Sequence, residues 1–269
     1  MSNAKTMGAL FNKLLNYINT TLVKDSNYEI ALLLIQNYKK LKDVSIEEMA
    51  QMCYTSKASV SRFIRFIGFE NFKEFKQSLD QDFTMSNDYS RQFYQQLCTD
   101  ETSAIQAYTE MLIADIRSTR TPENMDTICH VTEKIYESDR ISFFAHHFLW
   151  DAGRYYQSKM MTMGKYVEMF MSYEDQLQSA RSLNQDSVAV ICTVGGTYMS
   201  RYSEIWNAII QSGCKIVVIT QNQSNAELNK ADYVIQCGTS NKEDIGKYCA
   251  LLIVEYLIMF YLKTYNMEE

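Results

Sequence analysis

From residue 140 to the end of the chain, short apolar runs alternate with longer segments of helical periodicity, and this alternation limits the fold more than any other feature. Repeated strand–helix units favour a parallel sheet whose two faces are covered by helices. We predict strands at residues 141–145, 166–170, 188–192, 216–220 and 233–235. The second part of the chain is therefore expected to be an α/β domain with a five-stranded parallel sheet flanked by helices.

The first 83 residues carry only helical patterns, which predicts an all-α domain. The stretch Ser45-Ile-Glu-Glu48 has a capping-box pattern, so a helix should begin there. A three-residue break at 54–56 precedes a second helix, Lys57 to Ile67, which Gly68 should end. Two short helices joined by so tight a turn indicate a helix-turn-helix. Further helices are expected at 10–23, 27–40 and 69–83.

The outward side of this second helix has the residue types that bind DNA. On a helical wheel, the apolar side chains Val60, Phe63, Ile64 and Ile67 cluster on one side, and polar or small side chains lie opposite. Arginine can bind guanine through two hydrogen bonds or hold a phosphate, and a helix N-terminus favours a phosphate. A plain helical hairpin with a solvated basic face would show the same periodicity. The predicted DNA-binding residues are Ser56, Lys57, Ser59, Ser61, Arg62 and Arg65.

Charge is distributed unevenly along the chain, whose net charge is −6. Residues 1–80 hold 11 Lys and Arg against 8 Asp and Glu, whereas the remainder holds 15 against 24. The N-terminal part can therefore tolerate phosphate, and the acidic remainder cannot do so as well.

We expect three regions: a helix-turn-helix domain at 1–83, a helical connector at 84–120 and an α/β domain at 121–269. The connector begins with a polar stretch up to residue 100, and helical patterns return at 101–119 and 122–137. The last helix, about 242–265, is apolar on most of its sides. It should be either deeply buried or part of a subunit interface.

Several classes of protein are disfavoured by the sequence. The longest apolar run, Cys249 to Leu262, contains Glu255 and is too short to span a bilayer, so we expect no membrane segment. The 7 cysteines form no Cys-x-x-Cys pair, and several lie in apolar runs, as free thiols do in a reducing cytoplasm. We therefore expect a cytoplasmic protein without a metal site or cofactor.

The segment from Ser45 to Lys76 closely resembles the N-terminal domain of RpiR-type transcriptional regulators. The matching positions are Ile46 and Ala50; Ser56, Ser59, Val60, Arg62 and Phe63; Ile67, Gly68 and Phe69; and Phe72 and Phe75. The resemblance implies a regulator of carbohydrate metabolism with a C-terminal sugar isomerase (SIS) domain. Its partners would be double-stranded DNA and a sugar phosphate or amino-sugar phosphate effector. One recognition helix per half-site implies a homodimer or tetramer on an inverted-repeat operator.

The same resemblance implies a phosphosugar site in the loops that follow the first and third strands. The first loop, Ala145 to Leu149, lacks the Gly-x-Gly-x-Ser of SIS domains. The second, Cys192 to Thr197, keeps the glycine and threonine of Ser-x-Ser-Gly-x-Thr but not its serines. The residues we expect to bind ligand are His146, His147, Thr193, Gly195, Gly196 and Thr197. Gly195 and Gly196 should expose backbone N–H groups to an anion, and Thr197 should cap the helix that follows. Two adjacent glycines are also an ordinary strand-to-helix turn, and the two histidines could be ordinary polar residues.

Three functions remain open at this point. The α/β domain could sense a sugar phosphate, or it could have lost its ligand and serve only as a dimerisation platform. As a third possibility, the chain could be a phosphosugar isomerase, an enzyme that needs a positioned base. Glu243 and His146 are candidates for that base by location only. Because the loops have lost several expected residues, we expect a regulator and not an enzyme.

Overall fold

The computed structural model describes residues 9–79 and 88–265, which divide into two compact units. The first unit lies within residues 1–83 and the second within 84–269. Parts of two predicted segments, the end of the helix at 69–83 and the start of the connector at 84–120, lie outside the described residues.

The N-terminal unit is all-α, as predicted. Its helices are α1 (Ala9–Thr20), α2 (Ser26–Gln36), α3 (Ile46–Met52), α4 (Lys57–Phe66) and α5 (Phe72–Gln77), with a 3-10 turn at Tyr38–Lys40. They enclose one hydrophobic core, in which Leu34, Met49 and Phe63 are among the fully buried side chains. Lys76 of α5 donates from Nζ to the carbonyl oxygens of Leu41 and Val44, at 2.6 and 2.9 Å, and so fixes the segment that leads into α3.

The second unit contains a sheet of five parallel strands in the order β2-β1-β3-β4-β5. The strands are β1 (Arg140–Phe144), β2 (Val167–Met169), β3 (Ser187–Cys192), β4 (Lys215–Thr220) and β5 (Tyr233–Gln236). All six residues of β3 are buried, as expected for a central strand with helices on both faces. The predicted α/β architecture is confirmed, with strand ends shifted by no more than one residue.

Helices cover both faces of this sheet. In chain order they are α6 (Arg91–Thr99), α7 (Glu101–Ser118), α8 (Pro122–Glu137), α9 (Leu149–Thr162), α10 (Tyr173–Arg181), α11 (Tyr198–Arg201), α12 (Ser203–Ser212) and α13 (Gly246–Tyr265). α13 packs against α8, α9 and α7, whereas α10 packs against α12. By length and composition α13 could also cross a membrane, a test that the core helices of soluble proteins pass as well.

Three segments differ from the sequence-based expectation. The polar stretch expected to be a connector contains α6, which buries none of its residues completely. The link between β4 and β5 is a 3-10 helix, Ala226–Lys230, and not an α-helix. The last helix begins at Gly246 and not near 242, because Glu243 and Asp244 adopt left-handed backbone angles, φ 50° and 55°, that no α-helix allows.

A buried carboxylate attaches α7 to the loop after β5. Asp115 is 2% exposed. Its Oδ1 accepts the backbone N–H groups of Thr239 and Ser240 at 2.6 and 3.0 Å, and its Oδ2 accepts Gln221 Nε2 at 3.1 Å. At Gly238, where φ is +92°, a Cβ would collide with this carboxylate, so the loop requires glycine there. Charge-assisted hydrogen bonds thus compensate the burial of a charged group.

Candidate functional site

The first candidate site is the pair α3 and α4. The predicted capping box starts α3: Glu48 N–H donates to Ser45 Oγ at 3.2 Å, and Ser45 N–H donates to Glu48 Oε2 at 2.6 Å. Ser56 caps α4 by accepting the N–H of Ser59 at 3.1 Å. Tyr54, in the turn between the helices, has φ 50° and is exposed.

The end of α4 is a Schellman motif, which sets the path of the chain away from the helix. Gly68 N–H donates to the carbonyl of Arg65 at 3.0 Å, and Phe69 N–H donates to that of Ile64 at 3.1 Å. Gly68 has φ +93°, a conformation that costs a non-glycine residue free energy. The predicted helix stop is therefore confirmed.

The two sides of α4 are divided as the helical wheel predicts. Val60, Phe63 and Ile64 are fully buried, and Ile67 is half-buried. Of the predicted DNA-binding residues, Ser56, Lys57, Arg62 and Arg65 are exposed, whereas Ser59 and Ser61 are half-buried. A helix with one packed side and one polar, partly basic side has the form that fits a major groove.

Hydrogen bonds between side chains order the start of this outward face. Ser59 Oγ lies 3.0 Å from Ser56 Oγ, and it accepts Arg62 Nη2 at 3.2 Å. The hydrogen bond therefore holds Arg62 along the helix. Because a guanidinium carries five N–H groups, Arg62 has further donors for a contact with DNA. This arrangement reduces the conformational entropy that a contact with DNA would cost.

Glu47 is a residue of this site that the sequence analysis missed. Its carboxylate forms an ion pair with Lys57 Nζ, across the turn from α3 to α4. The hydrogen bond from Lys57 lowers the pKa of Glu47 below its usual range. The pair partly neutralises a lysine that was expected to contact phosphate. No local pattern indicates the pair, because its members lie ten positions apart on different helices.

The second candidate site is the carboxyl edge of the sheet between β1 and β3. In the observed strand order the chain proceeds outwards in opposite directions from these two strands, so β1 and β3 form the topological switch point. Open α/β sheets bind ligands in the crevice at that point. The two predicted ligand-binding loops follow β1 and β3 and therefore lie at this edge.

The histidines after β1 are brought next to the loop after β3. The ring centroids of His146 and His147 are 5.0 Å apart, and that of His146 is 5.9 Å from that of Tyr198. Nδ1 of His146 is buried and has no hydrogen-bond partner in the described part of the chain. Burial, together with the nearby charges of His147 and Arg201, lowers the pKa of His146 to about 3, so the ring is neutral at pH 7.

Several polar groups of the loop after β3 already form hydrogen bonds within the domain. Thr193 is fully buried, and its Oγ1 accepts the N–H of Tyr198 at 3.2 Å. Thr197 was predicted to cap the following helix, but its side chain makes no capping bond, because its backbone is already helical, φ −82° and ψ −15°, whereas a capping residue is normally extended. The carbonyl groups of Gly195 and Gly196 accept the side-chain amides of Asn222 and Asn225, at 3.2 and 2.9 Å.

A buried glutamine, also missed by the sequence analysis, joins the two loops. Gln176 of α10 donates from Nε2 to the carbonyl of Ala145 at 3.0 Å, and its Oε1 accepts the hydroxyl of Tyr198. Tyr202 packs beside Tyr198, with ring centroids 4.9 Å apart. Side chains thus fill part of the crevice between β1 and β3.

The chain thus combines a helix-turn-helix with an α/β domain that has a switch-point crevice. Residues 12–86 match the profile of the rpiR-family helix-turn-helix domain. The N-terminal domain therefore belongs to that family. No curated protein sequence matches the chain significantly.

Solved structures share the fold at low sequence identity. NanR of Vibrio vulnificus, complexed with ManNAc-6P, superimposes with a TM-score of 0.53 at 16% identity, covering 94% of this chain and 92% of that one. The sugar isomerase domain of an RpiR transcription factor from Sphaerobacter thermophilus gives 0.50 at 14% identity, covering 60% of this chain and 90% of that one. A Methanococcus jannaschii protein, inferred from its structure to be a 3-hexulose-6-phosphate isomerase, gives 0.50 at 14% identity, with coverages of 60% and 93%. The second unit thus has the SIS fold.

Proposed function

We propose that this chain is a transcriptional regulator of carbohydrate metabolism that binds an inverted-repeat operator in double-stranded DNA as a homodimer or tetramer. The outward face of α4 carries the proposal, because it presents Arg62 and Arg65 opposite a packed apolar side. Arg62 would contact a base edge or a phosphate, and Ser56, Lys57, Ser59 and Ser61 would position the helix on the backbone.

The proposed division of labour follows three regions: residues 1–83 bind DNA, 84–120 connect, and 121–269 bind the effector. A protein of this kind works in the cytoplasm, where the DNA of a bacterium lies. A ligand would change DNA binding only if it favours one of two arrangements of the molecule over the other.

The proposed effector is a sugar phosphate, with an amino-sugar phosphate as the first choice. Support comes from the switch-point position of the two loops and from the similarity to NanR, whose structure contains ManNAc-6P. The ligand would meet His146, His147, Thr193, Gly195, Gly196 and Thr197. Neutral His146 would serve as a hydrogen-bonding group for a sugar hydroxyl, since its Nδ1 has no partner among the described residues.

One observation favours the alternative that the SIS domain is only a dimerisation platform. Hydrogen bonds at the crevice already connect Gln176 to Ala145 and Tyr198, and Thr193 to the backbone of Tyr198. A ligand would have to break or rearrange these hydrogen bonds. Removing a satisfied buried hydrogen bond without replacement costs about 1–3 kcal/mol for each group.

An isomerase is the least favoured function. A proton-abstracting base should have a pKa near the working pH, and that of His146 is about 3. The other candidate, Glu243, accepts the backbone N–H of Ser90 at 2.6 Å, which is a structural use of its carboxylate. We therefore propose that the chain is a regulator without catalytic activity.

The test combines selection of bound DNA with a ligand screen. Genomic fragments retained by the full chain should contain an inverted repeat, and fluorescence anisotropy on that fragment should respond to one sugar phosphate. A thermal shift with such a ligand supports the sensor. Operator binding that no sugar phosphate changes favours the platform. Failure to enrich any sequence would contradict the proposed regulator.

A further inference from the structure

The outer side of α13 is apolar although the helix already has a fully packed inner side. The inner side contributes Cys249, Ala250, Ile253, Val254 and Leu257 to the core. On the outer side Tyr248, Met259 and Leu262 are 40%, 52% and 45% exposed. A contiguous row of large apolar side chains on a surface helix is typical of an interaction surface, whereas single exposed apolar residues are not.

The neighbouring helix α7 also has apolar side chains that are not fully buried. Ile113 of α7 is 43% exposed, and Ile116 is half-buried. Ile116, Arg117, Arg120 and Tyr256 line a cavity of about 440 Å³. We call the surface formed by Tyr248, Met259 and Leu262 the outer patch.

Charges around Met259 are arranged so that the patch complements itself. Glu255 lies four residues before Met259 and Lys263 four residues after it, and positions four apart share one side of a helix. If two copies of α13 cross antiparallel at Met259, each Glu255 faces Lys263 of the partner subunit. The contact is isologous, so the ion pair forms twice. Tyr155 Oη donates to Glu255 at 2.7 Å and holds the carboxylate in place.

These charges also argue against a bilayer as the occupant. A membrane would have to accept Glu255 in the middle of the apolar row, where an unpaired carboxylate is costly. The inner side of the helix is moreover committed to the sheet domain. A second copy supplies the matching cation and the matching apolar row at once.

We propose that the outer patch is the interface with a second copy of this chain, with the two α13 helices crossing antiparallel at Met259. The proposal rests on the proposed function in one respect: an inverted-repeat operator requires a two-fold arrangement of the recognition helices. It goes beyond that function by naming the surface that creates the two-fold axis.

Light scattering and sedimentation equilibrium of the full chain test the proposal. The wild type should have at least twice the chain mass of 31.3 kDa at micromolar concentration. Met259→Lys should raise the dissociation constant of the dimer about 30-fold or more, as the loss of a central apolar contact does. Tyr166→Lys is the control, because Tyr166 is 62% exposed at the β2 edge of the sheet.

Charge reversal supplies a test that misfolding cannot imitate. Glu255→Lys and Lys263→Glu should each weaken the dimer, and the double variant should recover most of the affinity. A monomeric wild type, unchanged mass in Met259→Lys, or equal loss in Tyr166→Lys overturns the interface. Anisotropy on the selected operator separates this result from the proposed function. A dimer that ignores DNA contradicts the function alone, whereas a DNA-binding chain whose dimer survives Met259→Lys contradicts the interface alone.

Discussion

In the proposed complex, Glu47 would compete with DNA for Lys57. The ion pair between them spans the turn of the helix-turn-helix, and the lowered pKa of Glu47 keeps the carboxylate charged at neutral pH. A phosphate near Lys57 would have to compete with this carboxylate and would be repelled by it. The pair is exposed, so the competition should weaken as salt screens it.

Glu47→Gln should therefore tighten DNA binding by a factor of about two to five at low salt. The expected gain disappears at high salt. Anisotropy titrations at several salt concentrations measure both effects. Glu70→Gln removes another exposed carboxylate from the same domain and serves as the control. An equal gain in both variants would show that the ion pair has no specific effect on DNA binding.

The buried neutral ring of His146 links the stability of the SIS domain to pH. Burial lowers its pKa to about 3 in the folded state, whereas an unfolded histidine has a pKa of about 6.5. The unfolded state therefore binds the proton more readily, and stability falls as pH drops from about 6.5 towards 3. Above pH 6.5 both states are neutral, and this contribution to the pH dependence vanishes.

In His146→Gln the free energy of unfolding should depend less on pH, by up to about 1.4 kcal/mol per pH unit between pH 6 and 4. Tryptophan fluorescence during urea unfolding is the measurement, since both tryptophans, Trp150 and Trp206, lie in the second unit. His130→Gln, at an exposed position of α8, should keep the slope of the wild type. An unchanged slope in His146→Gln would mean that the ring is not buried in neutral form.

Helix ends were the elements that the sequence predicted best. The caps Ser45 and Ser56 and the stop at Gly68 depend on residues within five positions of each other, so a local pattern contains all the information. The α6 helix was missed because its residues stay largely solvated and its composition resembles that of a connector. The 3-10 helix between β4 and β5 is likewise too short to show a helical period.

The attachment of α7 depends on one carboxylate. Asp115→Asn would place an amide beside the amide of Gln221 or the N–H groups of Thr239 and Ser240, and two donors would then face each other. The free energy of unfolding should fall by about 1–3 kcal/mol. Urea unfolding followed by tryptophan fluorescence measures the change, and Glu110→Gln, at an exposed acid on the same helix, is the control. Equal stability of both variants would contradict the role given to Asp115.

For the whole molecule, the alternation of strands and helices predicted the class of the second domain but not the order of its strands. In the observed strand order β1 and β3 lie side by side. This order depends on packing between residues that are far apart in the chain. For the same reason the sequence identified the two loops but not Gln176, which joins them from α10. The expected Thr197 cap was wrong because the backbone of Thr197 is already helical, whereas a capping side chain normally belongs to an extended residue.

The central claim is that α4 binds DNA through its outward arginine. It is tested most directly by anisotropy on the selected operator fragment with Arg62→Ala, beside the control Arg91→Ala in α6. We expect the dissociation constant of Arg62→Ala to rise about 5- to 150-fold, which corresponds to about 1–3 kcal/mol for a lost bidentate contact. Folding should be unchanged, because Arg62 is exposed and, among the described residues, bonds only to the side chain of Ser59. Wild-type affinity in Arg62→Ala would contradict the assignment of α4 as the recognition helix.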